Sequence, residues 1–572
     1  MFKKSFVFGK SKKEDSITVS KDTLYSEKIG YGFLTEKNRN ADEMLKIPEI
    51  NTAFDVQYWY AGKEITVIEQ DENGCYIDSE DKLPLSFKVK VPIQGNYNVK
   101  VVIENTEDVK DLVIYSQRRR GVYRANKLSA GERFEYEFTA NVCDIIPRGK
   151  NEVYECKTVD VTIIGSKPRL TEIYVEQADV PTIYIAGDST VTDQSAAYPY
   201  YPESSYSGWG QMISAYFKKG IAVSNHSHSG LTTETFRNQG HYAIVEKYIK
   251  AGDFFLIQFA HNDQKRESLK AMGGYAQNLR KYVKEIREKG AIPVIITPLS
   301  RTTWRGTDGG FNDLLADYAK ACKVVGEELD VPVIDLHAKS VKFITSVGLE
   351  DSTRYFYPKD WTHTNDCGAF LMANYVIEEI KRLNIQGIVE FIQDIKEGWA
   401  PPMTISLPQP PEGFEAETAQ ETEKSAQIDR PDDIITRVEA LDLVIKAVKF
   451  VPTNVYNDMY DDVEGHEWSA GTVECAYSNG MVDNVLLGNK EFRPNKEVTY
   501  AELISFCVNG YKSRKKVENY PASDYENKAE KWAGTYIRIA DGLKLLDKNI
   551  SLDKKMTRKE AADIVQRLAK LI

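Results

Sequence analysis

Ile183-Tyr184-Ile185-Ala186-Gly187-Asp188-Ser189-Thr190 is an apolar run that stops abruptly in Gly-Asp-Ser-Thr. A buried parallel strand reads this way where it delivers a side chain to the carboxyl edge of its sheet. Ser189 at that edge is either a nucleophile or a helix N-cap, since Ser and Asp are ordinary capping residues. The sequence on either side has to separate the two.

Downstream, from about 175 to 396, apolar strand-like runs alternate with longer segments of helical spacing. The runs are 182–186, Ile221-Ala222-Val223, Phe254-Phe255-Leu256-Ile257, Ile292-Pro293-Val294-Ile295-Ile296 and Val331-Pro332-Val333-Ile334; segments 272–288 and 311–328 carry the helical pattern. Near-continuous apolar strands joined by helical crossovers predict a doubly wound α/β domain, with a parallel sheet covered on both faces. Such folds collect their reactive groups in the loops at the strand carboxyl ends. Three more polar clusters fall at those places or just before a helix: Ser224-Asn225-His226-Ser227-His228-Ser229-Gly230, His261-Asn262-Asp263 and Asp360-Trp361-Thr362-His363.

Acyl transfer needs an activated nucleophile, a base, a group that orients the base, and donors for the oxyanion. Serine becomes a useful nucleophile when a histidine takes its proton. His363 has a suitable ordinary pKa of about 6.5. Asp360 precedes it by three residues, so a turn brings both side chains to one face. Oxyanion donors are then the backbone amides of Ser189 and Gly230 and the side-chain amide of Asn262. Taken singly, Asn262 also reads as a helix cap and His363 as a surface histidine. His226, His228 and His261 raise the question of a metal, but no Asp or Cys completes a ligand set, so the expectation is no metal and no cofactor.

Position 191 is Val, so the Gly-x-Ser-x-Gly nucleophile elbow of α/β-hydrolases is not met. The four blocks instead resemble those of the SGNH (GDSL-type) hydrolases, named for Ser, Gly, Asn and His. Ser189, Gly230, Asn262 and His363 match in the family's order, with Asp360 as the Asp of Asp-x-x-His. Gly-Asp-Ser-Thr, His-Asn-Asp and Asp-Trp-Thr-His-Thr look closest to rhamnogalacturonan acetylesterases. One departure is Gly230-Leu231-Thr232, where those enzymes tend to have Gly-Arg-Ser. The resemblance implies a flavodoxin-like domain and a serine esterase that removes acetyl groups from a pectic polysaccharide or oligosaccharide through a Ser-His-Asp acyl-enzyme. Acetylxylan is an alternative substrate. A non-catalytic, glycan-binding surface protein is the alternative from another class. Lys265, Arg266, Arg301 and Arg305 lie near strand ends, where they either meet uronate carboxylates or belong to solvated loops.

Residues 1–174 show period-two alternation in Leu85–Val91, Tyr97–Val101, Phe134–Phe138 and Val159–Ile163, separated by Gly, Asn and Pro. This predicts an antiparallel β-sandwich. Phe6-Val7-Phe8-Gly9, Tyr25 and Gly30-Tyr31-Gly32-Phe33 resemble an N-terminal jelly-roll module that precedes some bacterial pectin-processing esterases. Tyr58, Trp59 and Tyr60 are either an exposed carbohydrate platform or core residues. Arg118-Arg119-Arg120 reads as a solvated turn or as a contact to an anionic sugar.

The catalytic segment is assigned to 175–396 and a linker to 397–430, where Pro401, Pro402, Pro408, Pro410 and Pro411 lead into a Glu/Thr/Ala/Gln run unable to build a core. Residues 431–572 hold a degenerate repeat. Thr436-Arg437-Val438-Glu439, Thr499-Tyr500-Ala501-Glu502 and Thr557-Arg558-Lys559-Glu560 each read as a capping box opening an amphipathic helix. They resemble S-layer homology repeats, and the expectation is a small all-α domain. In that family the motif arginine helps hold a cell-wall polysaccharide; Arg437 and Arg558 match it and Tyr500 does not.

The chain has 572 residues, enough for three or four domains at roughly 150 each. Its net charge of -11 argues against nucleic-acid binding through overall electrostatic attraction. Seven scattered cysteines without a Cys-x-x-Cys pair read as reduced thiols. No run of 18 apolar residues occurs, so no transmembrane helix is expected. The N-terminus lacks a signal-type apolar stretch. These features point to the cytoplasm, and the C-terminal repeats to the cell surface. The expectation is cytoplasmic, with the surface as the alternative if a signal peptide is missing from this sequence.

Overall fold

The computed structural model describes all residues except 1, 10–13, 36–37, 39–66, 80, 118, 147–151, 195, 197–198, 307, 396, 407–429, 458, 466, 483–489 and 523–524. Tyr58, Trp59, Tyr60 and Arg118 lie outside the described residues. The chain forms two compact units. The first joins Met1–Ser300 with Leu315–Ser425; the second joins Arg301–Leu314 with Ala426–Ile572.

In the first unit, strands β1 (Thr182–Gly187), β2 (Ala222–Asn225), β3 (Phe254–Gln258), β4 (Ile292–Ile296) and β5 (Val333–Ile334) form a parallel sheet in the order β5-β4-β3-β1-β2. This is the doubly wound order 2-1-3-4-5, whose switch point lies at the carboxyl end of β1. Ile183 opposes both Val223 of β2 and Phe254 of β3. Every residue of β1 and β3 is buried, because helices cover both faces. Helix α1 (Ala276–Glu288) buries Leu279, Tyr282, Val283 and Ile286, one apolar stripe at helical spacing. Helix α2 (Ala316–Leu329) follows β4, and helix α3 (Asp366–Leu383) closes the domain with Asn365 as its N-cap.

The N-terminal segment is a two-layer β structure, but its larger layer is not separate from the parallel sheet. Arg133–Val142 pairs with β2 through Ala140 and Val223, so one 12-stranded sheet runs from β5 across β2 into Gly95–Glu104, Leu170–Ala178 and Lys3–Val7. The second layer has five strands, Tyr31–Leu34, Leu85–Lys90, Thr158–Ile164, Val109–Ser116 and Arg120–Leu128. Phe6, Phe8, Phe33 and Phe87 meet edge to face or tilted between the layers. Part of the outer face of the five-stranded layer is covered, while Lys110, Asn126 and Lys127 on it are exposed. Val113, Tyr115 and Ile164 join the core of the parallel-sheet domain with Trp209, Met212 and Ile213.

The sequence expectation for the arginine triplet fails at Arg119 and Arg120. Arg119 and Arg120 are neither a solvated turn nor available to a sugar; both are buried and bonded to Asp366 and Asp193. Each carboxylate is likewise buried, so pairing is what makes burial of the charges tolerable.

In the second unit, helices α4 (Arg437–Ala447), α5 (Tyr500–Lys512) and α6 (Arg558–Ala569) all open on complete capping boxes, from Thr436, Thr499 and Thr557 to Glu439, Glu502 and Glu560. The unit is not all-helical, contrary to the sequence expectation. Trp304–Arg305 pairs in parallel with Val455–Tyr456, an association between distant segments that local periodicity does not encode. Arg437 is buried and donates to Glu502 at 2.6 Å, while Arg558 pairs with Glu439. The motif arginine of one repeat thus binds the capping glutamate of another. Tyr500 has no charge to continue the series, and Lys554 pairs with Glu560 instead.

Candidate active site

The strand β1 ends at Gly187, where an added Cβ would lie 2.6 Å from the Val191 side chain and 2.8 Å from the Gln258 carbonyl. Glycine therefore lets the chain turn tightly enough to place Ser189 at the sheet edge. Asp188 is fully buried beneath the turn. Its Oδ1 accepts from the Thr190 N–H at 3.0 Å and hydroxyl at 2.8 Å, and its Oδ2 lies 3.2 Å from His261 Nδ1. Burial pushes the Asp188 carboxyl up, but His261 and the Thr190 bonds outweigh it and hold the group below the usual carboxylate range. Gln258 of β3 donates to Thr190 Oγ1 at 2.8 Å and accepts from Trp209 at 2.7 Å.

Three residues spread over 174 positions of chain meet above this turn. Ser189 Oγ is 2.7 Å from His363 Nε2, and His363 Nδ1 is 2.7 Å from Asp360 Oδ2. Asp360 Oδ1 accepts the backbone N–H of Thr362 at 2.8 Å and of His363 at 3.0 Å. Burial pushes the Asp360 carboxyl up. The nearby His363 and these hydrogen bonds more than reverse that, leaving it below the ordinary range and ionised near neutrality. The segment is aimed by Thr364, which exchanges bonds with Ser207 (3.1 and 2.6 Å), and by the Asn365 cap of α3, whose amide binds three carbonyls.

Gly230 and Asn262 stand on the two loops after β2 and β3. Gly230 has φ +82, and a Cβ there would meet no protein atom. Its own left-handed backbone, rather than crowding by the protein, calls for glycine. Asn262 donates to the Leu231 carbonyl at 3.1 Å, which ties the two loops; among the described residues its second amide hydrogen has no acceptor. Among the described residues, neither the Ser189 nor the Gly230 backbone N–H has a protein acceptor. Asp263 links the loops again, accepting from Thr233 N–H at 3.0 Å and Oγ1 at 2.6 Å.

The other residues singled out from sequence fare differently. Lys265 is exposed, whereas Arg266 is largely buried and faces Glu234 at 3.7 Å. Arg301 and Arg305 belong to the second unit. His261 is committed to Asp188, His226 Nε2 lies 2.8 Å from Ser224, and the His228 ring packs on His241. Among the described residues no cluster of three or more His, Cys, Asp or Glu is placed to hold a metal. Sequence reasoning missed Tyr206. Its ring stands edge-on to His363 at 5.9 Å and stacks on Tyr357, and its hydroxyl is 3.4 Å from Asp360 Oδ2. No motif marks it, because its place depends on the tertiary meeting of loops.

Residues 185–369 match the GDSL-like Lipase/Acylhydrolase family. The rhamnogalacturonan acetylesterase RhgT of Bacillus subtilis is 37% identical over 216 residues, 36% of this chain and 90% of that protein. The chain belongs to the GDSL-like lipase/acylhydrolase family. As a member of that family it is a hydrolase of carboxylic esters. The GDSL-type chain is also 27% identical over 392 residues to the uncharacterized esterase YxiM of B. subtilis, covering 67% of this chain and 91% of the relative. Similarity to the probable rhamnogalacturonan acetylesterase YesY of the same organism is 33% over 211 residues, 36% of this chain and 94% of the relative. Residues 460–504 match the S-layer homology domain. No described helix is long and apolar enough to cross a membrane.

Proposed function

We propose that this GDSL-type esterase removes acetyl groups from a pectic glycan, rhamnogalacturonan or its oligosaccharides, with Ser189 as nucleophile. The observation that carries the mechanism is the unbroken chain from Ser189 Oγ through His363 to Asp360, with both links 2.7 Å long. His363 Nε2 takes the serine proton as Oγ attacks the acetyl carbonyl. Asp360 fixes the Nδ1–H tautomer and stabilises the imidazolium that results. The uncommitted N–H groups of Ser189, Gly230 and Asn262 receive the oxyanion. As the bond from the acetyl carbon to the sugar oxygen breaks, His363 protonates that oxygen to release the sugar hydroxyl, and water, activated by the same imidazole, hydrolyses the acetyl-enzyme. No cofactor enters these steps.

The pectic substrate is supported by the names of two of the relatives above, rhamnogalacturonan acetylesterase and probable rhamnogalacturonan acetylesterase. The S-layer homology match favours the cell surface over the cytoplasm as the place of action, with a cell-wall glycan as partner of the second unit. The test is acetate release from acetylated rhamnogalacturonan oligosaccharides by the wild type and by Ser189→Ala, with acetylxylan in parallel. Release by wild type alone, on the pectic substrate alone, supports both parts. Release on xylan instead changes the substrate and keeps the mechanism. Release that survives Ser189→Ala removes the nucleophile assignment.

A further inference from the structure

The turn between strands Val109–Ser116 and Arg120–Leu128 belongs to the N-terminal β structure, yet it carries a cation bonded to both halves of the candidate active site. Arg119 has φ +53 and a side chain that is 1% exposed. Nε donates to the Gln194 carbonyl at 2.7 Å. Nη1 donates to Asp366 Oδ2 at 2.7 Å and to the Tyr115 hydroxyl at 3.3 Å. Nη2 donates to the Tyr206 carbonyl at 2.6 Å and to Asp366 Oδ1 at 3.1 Å. A guanidinium has five N–H donors in one plane, and these five acceptors account for all of them.

The three anchor points are not arbitrary. Gln194 lies five residues after Ser189, on the loop that the nucleophile opens. Tyr206 contacts both His363 and Asp360 through its ring and hydroxyl. Asp366 is the first residue of α3, three residues after His363. Gln211 closes the circuit: its amide donates to the Arg119 carbonyl at 2.8 Å and to the Gln194 carbonyl at 3.0 Å. The nucleophile loop and the acid–base loop thus share one rigid fork supplied from outside the parallel-sheet domain.

We propose that Arg119 is a positioning residue: through Gln194, Tyr206 and Asp366 it holds the Ser189 loop and the Asp360–His363 loop at their working separation. This rests on the esterase reading above. It gives the N-terminal β structure a part in turnover that needs no carbohydrate contact. A lysine at this position keeps the charge opposite Asp366 but has no planar fork, so it cannot also hold both carbonyls. Reacting groups held about 1 Å out of place lose on the order of 100-fold in rate.

The experiment compares full-length wild type, Arg119→Lys, Gln211→Met and Ser189→Ala in hydrolysis of p-nitrophenyl acetate, each well below its own melting temperature. Arg119→Lys is expected to fold and to lose about 10- to 100-fold in kcat, with KM changed by less than about threefold. Its acidic limb in the pH profile of kcat/KM is expected to move, because the Asp360–His363 contact changes. Gln211→Met cuts the circuit without removing a charge, and is expected to show the same split with a smaller loss. A folded Arg119→Lys, or Gln211→Met if the first does not fold, that melts earlier but keeps the wild-type kcat and pH profile overturns the proposal. A wild type no more active than Ser189→Ala removes the esterase reading itself, and this inference with it.

Discussion

Asp360 binds His363 twice: Oδ2 meets Nδ1 at 2.7 Å, and Oδ1 accepts the backbone N–H of the same residue at 3.0 Å. One carboxylate therefore fixes both the ring and the main chain that carries it. Asp360→Asn replaces an acceptor by a donor facing Nδ1 and favours the wrong tautomer. By analogy with serine-protease triads, kcat is expected to fall by about 10⁴. Steady-state hydrolysis of p-nitrophenyl acetate at neutral pH checks it, and a loss below about tenfold would contradict the role assigned to Asp360.

Asp263 is expected to make stability depend on pH. Burial raises its carboxyl, the Thr233 hydrogen bonds pull it down, and Asp188 pushes it up again, leaving it at about 7. The unfolded value is about 3.9. A raised folded pKa means the contribution is fully present below pH 3.9 and is lost as pH rises towards about 7. Asp263→Asn keeps Oδ1 for Thr233 and removes the titration. It is expected to be more stable than wild type at pH 8, by at most about 4 kcal/mol, and little different at pH 4. Chemical denaturation at the two pH values provides the check. Equal shifts at both would exclude Asp263 as the source.

Ala260 has φ +137, where an L side chain is rarely found, immediately before the His261-Asn262-Asp263 loop. Such strain costs about 1–3 kcal/mol. Glycine removes it, offset by up to about 1 kcal/mol of unfolded-chain entropy and by about 0.8 kcal/mol for the buried methyl group it deletes. Ala260→Gly is expected to raise the melting temperature, by about 1 kcal/mol in stability, and calorimetry reads this directly. A lower melting temperature would show that the strain is smaller than these two costs together.

Arg437 is buried against Glu502. Removing one partner of a buried pair costs about 3–5 kcal/mol. Lys496 and Thr499 still bond Glu502, so the low end applies. Arg437→Met in the full chain is expected to make residues 426–572 unfold earlier while ester hydrolysis is kept. Proteolysis followed by mass spectrometry locates the opened unit; cleavage confined to the first unit would contradict this.

The sequence by itself determined the alternation of buried strands and amphipathic helices from 182 onward, the capping boxes at Thr436, Thr499 and Thr557, and the short list holding Ser189, Gly230, Asn262, Asp360 and His363. These are local signals: hydrophobic period, cap chemistry and block order are written in neighbouring residues. Tertiary structure decided the rest. It turned an arginine triplet that reads as solvent-facing into two buried ion pairs, because Asp366 and Asp193 arrive from more than 70 positions away. It merged the β structure with the parallel sheet through Ala140 and Val223, drew 301–314 into the second unit, and placed Tyr206 against His363. Such pairings depend on which distant surfaces meet, and no periodicity within a window of sequence records that.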